Sequence, residues 1–72
     1  MWKYDSAIGT LCICKLDNGQ YGFLFDGVVW ITSNDPQSVA DNIYHHSTCC
    51  DKWDSSYNVD APIDLSGWAR VR

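Results

Sequence analysis

The chain has 72 residues, 46% of them hydrophobic, with nine acidic side chains, all Asp, against five Lys and Arg, for a formal net charge of −4. A chain this short makes one domain, residues 1–72, and buries only about 60% of the surface that its unfolded form exposes. The acidic balance repels phosphate backbones, which argues against direct nucleic-acid binding, and suits a protein partner with a basic surface.

Four Trp, four Tyr and two Phe can each bury roughly 150–250 Å². That aromatic mass substitutes for the disulfide or metal staple on which other small domains depend. Met1-Trp2-Lys3-Tyr4-Asp5 does not lead into the apolar stretch of a secretory signal, and no run of about 18 apolar residues is available to cross a bilayer. The expected location is the cytoplasm, away from membranes. The four Cys are then expected as reduced thiols or metal ligands.

Residues 7–16 have strand composition, and Asp17-Asn18-Gly19-Gln20 contains the Asn-Gly pair favoured by two-residue type I′ hairpins. A second strand spans residues 21–25. Asp26-Gly27 supplies another such turn, and Val28-Val29-Trp30-Ile31-Thr32 reads as a third strand from its β-branched and aromatic content. Asn34 or Asp35 can cap a helix with Pro36 at its first position. The helix is expected over residues 36–47, with Val39, Ala40, Ile43, Tyr44 and Ser47 on one stripe. After Thr48 the chain turns polar and irregular, and residues 63–72 are a candidate last strand. The fold class is α+β, a three- or four-stranded antiparallel meander with one packed helix in the order βββα(β).

If both turns are two-residue loops, Leu16, Tyr21 and Thr32, then Cys14, Phe23 and Trp30, then Cys12, Phe25 and Val28 share one face. Ile13, Leu24 and Val29, with Lys15, Gly22 and Ile31, share the other. Both faces are apolar, and one helix cannot cover both. The second must be covered by residues 53–72, by a symmetric copy of the chain or by another protein. Gly22 would let the helix approach the aliphatic face through Ala40. A bulge in either hairpin exchanges the faces.

The group closest to a metal site is Cys12-x-Cys14 with His45, His46, Cys49 and Cys50, from which a small zinc-binding regulatory domain would draw its four ligands. The spacing fits zinc poorly, because C-x-C in a strand sets the thiols about 7 Å apart and adjacent cysteines rarely chelate one ion. Packed free thiols, acting as small hydrophobes, are the alternative. A Cys–His nucleophile would need a cleft and an oriented base. Cys49 and Cys50 instead sit at the negative end of a helix dipole, the wrong end for a reactive thiolate. Carboxylate pairs Asp51 with Asp54 and Asp60 with Asp64 have nothing to fix their distance, and no calcium loop, phosphate loop or dinucleotide fingerprint occurs. The chain is expected to be non-enzymatic and to need no cofactor.

From Ser33-Asn34-Asp35-Pro36 through Val39-Ala40-Asp41-Asn42-Ile43-Tyr44-His45-His46-Ser47-Thr48, then Trp53-Asp54 and Pro62-x-Asp64-Leu65-x-x-Trp68, the chain resembles a loose set of very small uncharacterised proteins of bacteria and their phages. In those a hairpin precedes an S-P-x-x-A-A-D-x-V/I-Y-x-H-x-T-G-x-x-x-W-D helix and a short P-x-x-L-x-x-W tail. The likeness covers roughly residues 20–68, with Val39 where Ala is usual and Cys49 where Gly would end the helix. It implies an α+β fold in a bacterial host cell and brings no activity. In size, charge and fold type the chain is also similar to anti-CRISPR proteins and polymerase inhibitors, which dock on a host enzyme or complex.

The expectation is therefore an interaction module that docks on a larger host protein and modulates it. Asp51, Trp53, Asp54 and Tyr57 are its candidate contact residues, since aromatic side chains dominate interface energetics. A zinc-binding domain and a self-associating protein, in which the second sheet face pairs across a two-fold axis, are the alternatives.

Overall fold

The computed structural model describes residues 1–71. Five strands, Trp2–Ser6 (β1), Gly9–Lys15 (β2), Tyr21–Phe25 (β3), Val28–Ser33 (β4) and Ala69–Arg70 (β5), form one antiparallel sheet in the order β4-β3-β2-β1-β5. The helix Pro36–Tyr44 (α1) follows the fourth strand. A four-residue helix, Asp51–Asp54 (α2), and a 3₁₀ turn, Leu65–Gly67, come next, and the chain then returns to pair β5 with β1. The fold is α+β, as expected, with one strand more than the expected meander. Arg72, the end of the expected last strand, lies outside the described residues.

The additional strand is β1. Trp2, Tyr4 and Ser6 are half-buried while Lys3 and Asp5 are exposed, the period-two alternation of a sheet with one wet face. Its turn, Ala7-Ile8, has no Gly or Asn and so carries no hairpin signature. Ser6 closes it instead, accepting from the Ile8 amide at 3.3 Å and donating to the Gly9 carbonyl oxygen at 2.6 Å.

The β2–β3 register differs by one residue from a two-residue loop. The Leu16 amide donates to the Gln20 carbonyl at 2.7 Å, the Gly19 amide donates to the Leu16 carbonyl at 3.0 Å, and Gly19 has φ of 86°. This is the three-residue loop in which a type I turn is followed by a left-handed residue. Ile13 consequently pairs with Phe23, and Cys12 with Leu24. Asp26 and Gly27, at φ 53° and 76°, do make the expected two-residue type I′ turn, pairing Phe25 with Val28. A bulge then shifts the β3–β4 register between Gly22 and Leu24, and both Trp30 and Ile31 pack against the core.

These registers correct the expected faces. Leu11, Ile13, Phe23 and Phe25 share the inner face, where they meet Val39, Ala40 and Ile43 of α1. Cys12, Cys14, Gly22, Leu24 and Val29 share the outer face. Gly22 therefore does not receive the helix: a side chain there would meet Val29 Cγ1 at 2.9 Å and Leu16 Cδ1 at 3.2 Å. Trp53, Ala61 and Trp68 join the same core as α1, so these parts of the C-terminal segment double the inner layer rather than cover the outer face.

Asp35 is the N-cap of α1, accepting from the Gln37 amide at 3.1 Å, with Pro36 in the first turn. Asn34, the other candidate cap, accepts from Gln20 instead. Gln37 also anchors the tail, since its Oε1 accepts from the Leu65 amide at 3.1 Å. The helix ends at Tyr44, three residues earlier than expected. His46 takes φ of 56°, its amide donates to the Ile43 carbonyl, and the Ser47 amide reaches back to Asn42 at 2.9 Å. This pair of bonds is the Schellman ending, with His46 in the left-handed position usually held by Gly. Tyr44 and Ser47 consequently leave the buried stripe.

Candidate functional site

The turn that ends α1 also builds the surface beyond it. Having left the helix through a left-handed His46, the chain doubles back, and Asp54 fixes the loop. Its carboxylate accepts from the Thr48 amide at 2.9 and 3.1 Å and from the Thr48 hydroxyl at 2.8 Å, while the Thr48 hydroxyl accepts from the Cys50 amide at 3.3 Å. Thr48 is fully buried, so these bonds satisfy groups that water cannot reach. They bring α2 under the end of α1. There the Trp53 indole N–H donates to the Ile43 carbonyl at 2.8 Å. On the other side of α2, Lys52 lies 5.4 Å from the Phe25 ring centroid and 3.5 Å from Asp26. That exposed ion pair contributes little by itself.

His46 lies on Trp53 with 4.5 Å between ring centroids, and Tyr57 leans on His46 at 5.8 Å and 51°. The three rings step from core to solvent: Trp53 is 0% exposed, His46 is half-buried, and Tyr57 is 79% exposed. Residues 51–64 around this stack hold four Asp against Lys52, a net of −3. A large aromatic side chain this open, braced on one edge and set in acidic surroundings, has the composition of an interface anchor.

Of the four expected contact residues, two are on the surface. Asp51 and Tyr57 are exposed, whereas Trp53 is core and Asp54 spends its oxygens on Thr48. His46 is absent from that group although its ring lies between Trp53 and Tyr57. Its only sequence signal was a helix running into a residue pair without Gly, in which either His could be the one that turns left-handed.

The candidate zinc ligands do not converge. Cys12 and Cys14 are on the outer sheet face, whereas His45, His46, Cys49 and Cys50 lie past α1 in the layer on the inner face. Among the described residues no three metal-ligating side chains come together. His45 is exposed beside Tyr44, and the four cysteines are free. Burial pushes the Cys12 thiol above its ordinary range. The Lys3 ammonium partly opposes this shift, and Cys14 and Asp5 add to it. A thiol held in its neutral form serves as a small apolar group rather than a nucleophile.

A groove of about 290 Å³ follows the edge of β1, lined by Lys3, Tyr4, Asp5, Gly67, Ala69 and Val71. It is at the bottom of the range for small-molecule sites, about 300–1,000 Å³. No helix among the described residues is long and apolar enough to cross a membrane. Comparison with protein-family models, with curated proteins and with solved structures finds no match to this chain.

Proposed function

We propose that the chain is a non-enzymatic interaction module that docks on a larger protein through the surface around Tyr57. The observation that carries this reading is the 79% exposure of a tyrosine braced by the His46–Trp53 stack within a segment of net charge −3. A braced ring loses little conformational freedom on binding, which concentrates binding energy in one side chain. The surrounding carboxylates favour a partner with a basic surface and speed its encounter.

The likeness to small phage proteins makes a bacterial host protein the natural partner and host modulation, of the anti-CRISPR kind, the natural role. Affinity capture from a bacterial lysate tests the reading. One stoichiometric basic protein, released as salt is raised, supports it. A blank in low-salt buffer refutes it. The zinc reading has no support from the ligand positions.

A further inference from the structure

We propose that a second copy of this chain covers the outer face of the sheet, forming a two-fold dimer with its helices outermost. This inference goes beyond the Tyr57 reading and uses the opposite side of the molecule. Cys12, Cys14 and Leu24 form the centre of the face on the two adjacent strands β2 and β3, and Val29, 42% exposed, extends it onto β4. Among the described residues α1, Trp53, Ala61 and Trp68 all belong to the inner layer, and the tail meets the outer face at its β1 margin, where Gly67, Ala69 and Val71 lie beside Lys3 and Asp5. An apolar centre within a polar surround is the anatomy of an interface.

Charge selects the occupant. Among the described residues the outer face carries one cation, Lys3, and one anion, Asp5, which alternate with inner-face Trp2 and Tyr4 along β1. The face is therefore formally neutral, and the other eight Asp, against Lys15, Lys52 and Arg70, lie elsewhere among the described residues. A basic partner is drawn to the other side of the molecule. An acidic copy of the chain meets least repulsion on this face.

The register also meets the condition of two-fold symmetry, that residue i contacts j while j contacts i. Cys12 stands directly opposite Leu24 on the neighbouring strand. An axis running between β2 and β3 sets Cys12 of each protomer over Leu24 of its partner, in the aligned packing of two sheets about 10 Å apart. The raised thiol of Cys12 fits this placement, because a neutral thiol can be buried where a thiolate cannot. The dimer carries two Tyr57 surfaces facing outward, so its docking would be bivalent.

Sedimentation equilibrium of the full chain tests the proposal. The expected result is a mass twice the 8.2 kDa of the chain, falling to the single-chain value for Leu24→Asp with an unchanged far-ultraviolet spectrum. Val29→Lys, at a more exposed position of the same face, gives the same readout if Leu24→Asp does not fold. Tyr57→Ala stays dimeric. A strictly monomeric wild type overturns the proposal, as does a dimer that persists in both folded face variants.

Discussion

The imidazole of His46 lies flat on the indole of Trp53, 4.5 Å between centroids and 15° between planes, while its Nδ1 donates to the carbonyl oxygen of Trp53 at 2.8 Å. A carbonyl oxygen can only accept, so the neutral ring carries its proton on Nδ1 and leaves Nε2 as an acceptor. Nitrogen NMR of the side chain is expected to show this tautomer. His46→Ala loses both contacts and is expected to cost about 1–3 kcal/mol in urea unfolding. His46→Gly loses the same contacts but accepts the left-handed φ freely, so it is expected to be more stable than His46→Ala by about 1 kcal/mol.

Two buried tryptophans differ in a way that substitution can read. The Trp53 N–H donates to Ile43, whereas the buried Trp68 N–H, beside Tyr4, has no hydrogen-bond partner among the described residues. Trp→Phe at residue 68 therefore gives up no bond, whereas at residue 53 it removes the buried indole bond to the Ile43 carbonyl, which keeps its bond from the His46 amide. Trp53→Phe is expected to lower stability by about 1–2 kcal/mol more than Trp68→Phe, measured by thermal unfolding. Trp53→Ala, at about 3–5 kcal/mol, is expected to unfold the domain and so cannot probe binding.

Asp54 holds the loop that leads into α2. Asp54→Ala leaves the buried amide and hydroxyl of Thr48 without their acceptor, an expected loss of about 1–3 kcal/mol. Hydrogen exchange at the Thr48 amide is expected to accelerate in this variant, while the sheet amides exchange only as fast as the lowered global stability requires.

How much of this was legible in the sequence depended on where the deciding contact lay. The Asp26-Gly27 turn follows from a local signal and forms as expected, whereas only Asp35 of the two candidate caps caps α1, and only Val39, Ala40 and Ile43 of the expected stripe are buried. The face assignment turned on whether Asn18 sat in a two-residue or a three-residue loop. Both loops use Asn and Gly, and the choice moves every side chain of β2 to the other face. β1 shows its alternation plainly, but its turn is closed by the Ser6 hydroxyl rather than by a recognised dipeptide. In the candidate site, Tyr57 was readable as an aromatic in a polar segment. The burial of Trp53 and the bracing role of His46 depend on a chain reversal that residue type does not announce.

The thiols offer a chemical check on the outer face. Cys49 is exposed and Cys50 is buried, so alkylation of the folded protein is expected to reach Cys49 first and Cys50 last. Cys12 is expected to react more slowly than Cys49, since burial favours its neutral form. A thiol pKa raised by folding stabilises the native state fully below the unfolded value, about 8.5, and that contribution is lost as pH rises through the folded value. Wild-type stability is therefore expected to fall more steeply above this pH than that of Cys12→Val, as denaturant midpoints across the range will read.

The account places docking on one exposed side chain, and capture from a bacterial lysate with Tyr57→Ala beside the wild type tests that most directly. Tyr57 is so open that its truncation leaves the core intact, which the far-ultraviolet spectrum will verify. The account predicts that the basic partner retained by the wild type is lost from the variant. Equal retention of that partner by a folded Tyr57→Ala would contradict it.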